Sequence, residues 1–93
     1  MDMKEIIRVH LNFKGYVQGV GFRYTAYHTA TMYGLTGWVK NEWNGSVTVE
    51  VQGDSDTIEL FIEKVKSGRY IDVLDMTKAT IPLKDESTFQ IRY

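Results

Sequence analysis

The segment IRVHLNFKGYVQGVGFRYTAYHTATMYG, residues 7–34, holds the features that decide the fold. Apolar and polar residues alternate over residues 7–13, which is the two-residue period of a strand with one buried face. From Phe22 onward apolar residues recur at helical spacing, and Gly34 lies where a helix commonly ends. The segment therefore predicts a strand, a glycine-rich turn and a helix over residues 22–33.

The middle of the chain predicts a hairpin followed by a second helix. Strands are expected over residues 37–41 and 47–52, because Asn44-Gly45 between them is the strongest short hairpin signal. Asp54 can cap the helix that follows. The apolar stripe of that helix consists of Ile58, Phe61, Ile62 and Val65.

The last part of the chain predicts one strand and a short closing strand. Residues 73–82 are expected to be a strand with Leu74 and Met76 on one face, and residues 89–93 alternate again. The order is then β-α-β-β-α-β with a possible short fifth strand. This is the ferredoxin-like sandwich, an α+β fold in which one antiparallel sheet carries both helices on one face.

Composition limits the classes of protein that the chain can represent. A length of 93 residues and a hydrophobic fraction of 43% predict a single globular domain over residues 1–93. The absence of cysteine excludes disulfides, thiolate metal sites and cysteine nucleophiles. A net charge of −1 does not favour nucleic acid as a partner, and no apolar run is long enough to span a membrane. The first five residues lack the apolar run of a secretory leader, so the cytoplasm is the expected compartment.

The run GYVQGVGFR, residues 15–23, is the stretch that carries chemistry. Backbone amides of such a turn and of the helix start at Phe22 can converge on one anion, and glycine lets the backbone approach it closely. Arg23 can add a planar fork for two phosphate oxygens. The glycine spacing does not match Walker A or the dinucleotide fingerprint. The first residues of the run resemble the start of the RNA-binding RNP1 motif, but the residues that follow do not match it.

Together with GWVKN at residues 37–41 and FQIRY at residues 89–93, this run resembles the acylphosphatase family along nearly the whole chain. The resemblance implies the ferredoxin-like fold and an enzyme that hydrolyses acyl phosphates to a carboxylate and phosphate, with no metal and no cofactor. It implies Arg23 and Asn41 as the catalytic residues. Besides Arg23, the phosphate-binding residues that it implies are Gly15, Tyr16, Val17, Gln18, Gly19 and Val20.

Hydrolysis of an acyl phosphate needs few catalytic groups. Its leaving group is a carboxylate that departs without a general acid, so catalysis is mainly positioning and electrostatics. Asn41 could hold the attacking water, with a phosphate oxygen of the substrate or bulk water taking the proton. We expect inorganic phosphate or sulfate to compete for the site, and we expect a monomer.

Two other readings of the chain are open at this point. The same loop could serve a non-catalytic ferredoxin-like module that binds an anionic ligand or RNA, or an interaction domain with a relic loop. The near-neutral charge and the presence of Asn41 favour the enzyme. Glu42 is a weaker candidate for a general base, because alternation turns it away from Asn41. Trp38 could pack in the core or flank the pocket, and His10 and His28 lack partners at metal-ligand spacing.

Overall fold

A computed structural model describes residues 5–93 and contains the predicted strand, turn and helix. Strand β1 spans Ile6–Tyr16 and helix α1 spans Phe22–Met32, one residue shorter than predicted. The amide of Leu35 donates to the carbonyl of Ala30 over 2.9 Å, which closes the last turn of the helix. The expectation about the amino-terminal leader rests on residues 1–5, of which residues 1–4 lie outside the described residues.

Five strands and two helices make up the described chain. The remaining elements are β2 (Thr36–Asn41), β3 (Val47–Asp54), α2 (Ser55–Lys66), β4 (Asp72–Ile81) and β5 (Phe89–Arg92). The sheet order is β4-β1-β3-β2-β5, so the ferredoxin-like arrangement is confirmed and the fifth strand is present.

One strand pair departs from the expected antiparallel sheet. Three pairings are antiparallel, but β5 runs parallel to β2. The reason is topological, because β4 ends at the end of the sheet where β2 begins. Ile81, at the end of β4, lies in the same row of pairs as Arg8, Gln52 and Thr36. Residues 82–88 therefore cross the sheet along this row and feed β5 in the direction of β2.

Both helices pack on one face of the sheet, as the sequence predicted. The core is shared between alternate strand residues and the apolar stripes of the helices, and its members are fully or nearly fully buried. The sheet contributes Val9, Leu11, Phe13, Val39, Val47, Val49 and Val51, and the helices contribute Phe22, Ala26, Ala30, Ile58, Phe61, Ile62 and Val65. Neither helix of the described residues 5–93 is long and apolar enough to cross a membrane.

The opposite face of the sheet carries a polar network under the crossing segment 82–88. The Arg8 side chain is fully buried there, and its guanidinium donates to Glu50 (3.0 Å and 3.1 Å), Glu86 (2.6 Å) and Gln52 (3.3 Å). Gln52 also accepts from the amide of Lys84 over 2.9 Å. These contacts fasten the crossing segment to the sheet and so fix where β5 begins.

The expected pairing of Leu74 and Met76 on one face of β4 is wrong. Val73 and Met76 pack against the core, whereas Leu74 is exposed. The register between β1 and β4 shifts at Gly15, so that β4 has one extra residue at this point. Such a bulge reverses the alternation on one side of it.

Candidate active site

A cavity of 230 Å³ lies at the amino-terminal end of α1. Four separate segments meet there: the turn after β1, the first turn of α1, the end of β2 and the carboxyl-terminal end of the chain. The polar or backbone groups that matter for its chemistry belong to Gly19, Gly21, Arg23, Asn41 and Tyr93. The structure therefore brings the two predicted catalytic residues, which are 18 positions apart in the sequence, to one cavity.

The turn between β1 and α1 leaves its backbone amides available. Gly19 and Gly21 have left-handed φ angles of 73° and 81°, which residues with a Cβ rarely adopt. Gly21 caps α1 without a side-chain hydrogen bond. Among residues 5–93, no carbonyl or side chain accepts a hydrogen bond from the amides of residues 18–24. A helix start with unpaired amides and a positive dipole end is suited to an anion.

Arg23 brings an unneutralised positive charge to this cavity. Its side chain is half-buried, and in the described part of the chain no carboxylate lies within 4.0 Å of it. Its guanidinium instead lies 5.1 Å from the ring centre of Tyr93. An aromatic face orients a guanidinium without cancelling its charge.

Asn41 presents a polar atom that lacks a partner. It is the last residue of β2, and its Oδ1 atom is buried without a hydrogen bond from any described residue. A buried carbonyl oxygen in this state is costly unless water or a ligand donates to it. The side chain of Asn41 lines the same cavity as Arg23, so a bound water there would satisfy it.

Gln18 connects the turn to the hairpin that follows β2. Its side-chain amide donates to the carbonyls of Glu42 and Ser46, both over 2.8 Å. These two bonds hold the glycine-rich turn beside Asn41. The side chain of Gln18 thus has a positioning role, which leaves only its backbone amide to contact an anion.

The predicted phosphate loop divides into two parts in the structure. Gly15 and Tyr16 belong to β1 and do not line the cavity. A Cβ at Gly15 would lie 2.3 Å from the carbonyl oxygen of Asp72, so the close approach of β4 explains this glycine. Val17 is buried and Val20 packs against the core, which anchors the turn that follows.

Sequence reasoning missed Tyr93 as a residue of the cavity. It appeared only as the end of a closing strand, and no signal in the sequence shows that β5 lies beside β2. Trp38 neither packs in the core nor lines the cavity, because it lies opposite Glu50 on the polar face. The guanidinium of Arg92 lies 4.7 Å from its ring centre.

A cluster of titratable side chains lies on the other side of the sheet. Burial acts to raise the pKa of Glu50, but the hydrogen bonds from His10 and Arg8 and the charges of Lys84 and Arg8 together lower it below its usual range. His10 Nδ1 lies 3.0 Å from the Glu50 carboxylate. Within residues 5–93, no group of three His, Cys, Asp or Glu side chains could hold a metal ion.

The acylphosphatase family model matches residues 9–91. The chain belongs to the acylphosphatase family. Curated acylphosphatases of similar sequence include that of Geobacillus kaustophilus, 42% identical over 92% of this chain and 94% of that protein, and that of Oceanobacillus iheyensis, 39% identical over 91% and 97%. The crystal structure of acylphosphatase from Bacillus subtilis superposes with a TM-score of 0.89 at 33% identity, covering 96% of this chain and 100% of that one.

Family membership confirms the resemblance drawn from the three sequence motifs. It also confirms the expectation of an enzyme of the acylphosphatase class over the alternative of a non-catalytic module. The cavity at the start of α1, with Arg23 and Asn41, is the candidate active site of this acylphosphatase.

Proposed function

We propose that this acylphosphatase hydrolyses the carboxyl–phosphate anhydride of acyl phosphates, without a metal, at the cavity that contains Arg23 and Asn41. One observation carries the proposal: an unneutralised guanidinium and an unpaired, buried amide oxygen line one cavity at an uncapped helix start. The first of these groups suits a phosphate, and the second suits a water molecule.

The phosphoryl group binds to the turn and to Arg23. The free amides of residues 18–20 and of the helix start donate to its oxygens, and the guanidinium donates two further hydrogen bonds. Each charge-assisted hydrogen bond contributes about 1.5–3 kcal/mol. In this proposal Gly15 and Tyr16 act indirectly, since they position the turn from β1.

Asn41 holds the attacking water. Its Oδ1 accepts one hydrogen bond from the water, and this fixes the water on the side of the phosphorus opposite the leaving group. A neutral amide is too weak a base to deprotonate water. The proton therefore passes to a phosphate oxygen of the substrate or to bulk water.

The leaving group explains why a metal is dispensable. Cleavage of the P–O bond releases a carboxylate whose parent acid has a pKa of about 4–5, so no general acid is needed. Charge that builds on the phosphoryl oxygens is stabilised by the amides and by Arg23. Inorganic phosphate and sulfate should compete, because they present the same oxygens.

Hydrolysis of benzoyl phosphate by the wild type and by Arg23→Gln tests the proposal. Arg23→Gln should lower kcat/KM at least about 100-fold and weaken inhibition by inorganic phosphate, because the guanidinium binds the phosphoryl oxygens in both the ground and transition states. Arg69→Gln, an exposed arginine stacked on Tyr70, is the matched control and should leave both values unchanged. Retention of wild-type activity in Arg23→Gln, or loss of wild-type activity in a chelator, would refute the proposal.

A further inference from the structure

A second cavity, of 320 Å³, adjoins the first. Its lining includes Asn41 and Tyr93, which also line the first cavity, together with Lys40, Glu42 and Trp43. The two cavities therefore meet at Asn41 and Tyr93. When the phosphoryl group of a substrate occupies the first cavity, the second cavity is open to the acyl part of the same substrate.

Two exposed aromatic rings face this second space. Trp43 has an exposed fraction of 107% and Tyr93 of 93%, so neither ring contributes to the core. Trp43 lies in the connection between β2 and β3, two residues after Asn41, and contacts no other ring among residues 5–93. An exposed indole at the rim of a cavity, without a packing role, is available to a planar ligand.

The charges of the second cavity balance each other. Lys40 carries a positive charge and Glu42 a negative charge, and neither side chain forms an ion pair within the described residues. A charged acyl group would be attracted by one of them and repelled by the other. An uncharged acyl group is repelled by neither of the two side chains, so the opposite charges of Lys40 and Glu42 favour an uncharged acyl group in this cavity.

We propose that the second cavity is the acyl-group subsite and that it selects planar, uncharged aromatic acyl groups by stacking on Trp43. This inference rests on the proposed function, because it requires the phosphoryl group to lie beside Arg23. The scissile bond then lies near Asn41, where the cavities meet, and the acyl group extends past Tyr93 toward the indole. Trp43 is a specificity-determining residue in this arrangement, and Tyr93 serves both halves of the substrate.

The test compares benzoyl phosphate with acetyl phosphate in Trp43→Ala, Trp43→Phe and Tyr70→Ala. Trp43→Ala should lower kcat/KM for benzoyl phosphate about tenfold more than for acetyl phosphate, mainly through KM, because only the aromatic acyl group reaches the indole. Trp43→Phe should restore most of the preference. Tyr70→Ala removes an aromatic ring that is 68% exposed away from both cavities and should leave the preference unchanged. Equal effects of Trp43→Ala on both substrates, or no effect on either, would overturn the subsite.

A binding measurement separates this inference from the proposed function. Phenacylphosphonate and acetonylphosphonate carry a methylene in place of the anhydride oxygen and cannot be hydrolysed in the same way. Calorimetry should show that the wild type binds the phenacyl compound more tightly and that Trp43→Ala abolishes the difference. If that result appears while neither acyl phosphate is hydrolysed, the proposed function fails and the subsite stands. If the acyl phosphates are hydrolysed but Trp43→Ala binds the two phosphonates with the wild-type preference, the subsite fails and the function stands.

Discussion

Replacing Arg8 with methionine removes a fully buried guanidinium that contacts Glu50, Glu86 and Gln52. Methionine fills much of the same volume, so the change tests the charge rather than the packing. The side chain of Glu50 is 11% exposed and that of Glu86 is 22% exposed. Removal of the cation therefore leaves one largely buried carboxylate and one partly buried carboxylate without their principal partner.

The size of the effect follows from what remains near Glu50. Breaking a buried ion pair from one side costs about 3–5 kcal/mol, because the remaining charge is uncompensated. His10 at 3.0 Å and Lys84 at 3.5 Å still face Glu50, so the lower end of this range applies. A loss of about 3 kcal/mol at an m-value of about 1.5 kcal/mol/M lowers the urea midpoint by about 2 M.

Equilibrium unfolding in urea at pH 7 measures this shift, and a double-mutant cycle assigns it. Arg8→Met combined with Glu50→Met should be less destabilised than the sum of the two single changes, since the double variant removes the Glu50 carboxylate that Arg8→Met leaves uncompensated, although Glu86 still loses its partner. An Arg8→Met variant that unfolds within about 0.5 kcal/mol of the wild type, or additivity of the two changes, would show that the Arg8–Glu50 pair does not stabilise the fold in this way.

Two further predictions concern Glu50 and Gln18. The pKa of Glu50 is lowered in the folded protein, so the carboxylate stabilises the fold above the ordinary glutamate pKa of about 4.3. This stabilisation is lost as the pH falls through the folded pKa. Glu50→Gln should therefore have a lower urea midpoint than the wild type at pH 7, and the difference between the two midpoints should close in acid. Glu63→Gln, an exposed side chain without an ion pair in the described chain, should show no such gap, and a gap for Glu50→Gln that is constant with pH would contradict the assignment. Gln18→Met loses both hydrogen bonds to the hairpin, so we expect a loss of about 1–3 kcal/mol in unfolding free energy together with weaker inhibition by phosphate. Unchanged phosphate affinity would show that these two hydrogen bonds do not position the turn.

The fold could be predicted because burial imposes its period on the sequence. Residues 7–13 alternate since every second side chain of β1 enters the core, and the stripe from Ile58 to Val65 marks the buried side of α2. The candidate site was assigned on the sequence because three motifs carry the resemblance to the family. The structure brings Arg23 and Asn41 to one cavity, as that assignment requires.

The buried state of Arg8 could not be predicted from local pattern. Alternation places it on the polar face of β1, where a charged residue is expected to be exposed. Its burial depends on a segment that crosses the sheet, and its partner Glu86 is 78 positions away in the sequence. Contacts of this range leave no periodic signal.

The bulge in β4 could not be predicted for a related reason. One extra residue near Leu74 reverses the alternation, and a local pattern with one insertion resembles either register. The place of Tyr93 beside the cavity could not be predicted either. It depends on the pairing of β5 with β2, which the residues near Tyr93 in the sequence do not indicate.

In the proposed mechanism Asn41 positions the attacking water while the turn and Arg23 bind the phosphoryl group. Asn41→Ala tests it most directly, through kcat for benzoyl phosphate and the inhibition constant for inorganic phosphate measured on the same sample. We expect kcat to fall at least about 100-fold, with an inhibition constant within about twofold of the wild type, because alanine removes the group that holds the water and leaves the phosphate donors in place. Wild-type turnover in Asn41→Ala, or a loss of phosphate affinity that matches the loss of turnover, would contradict it.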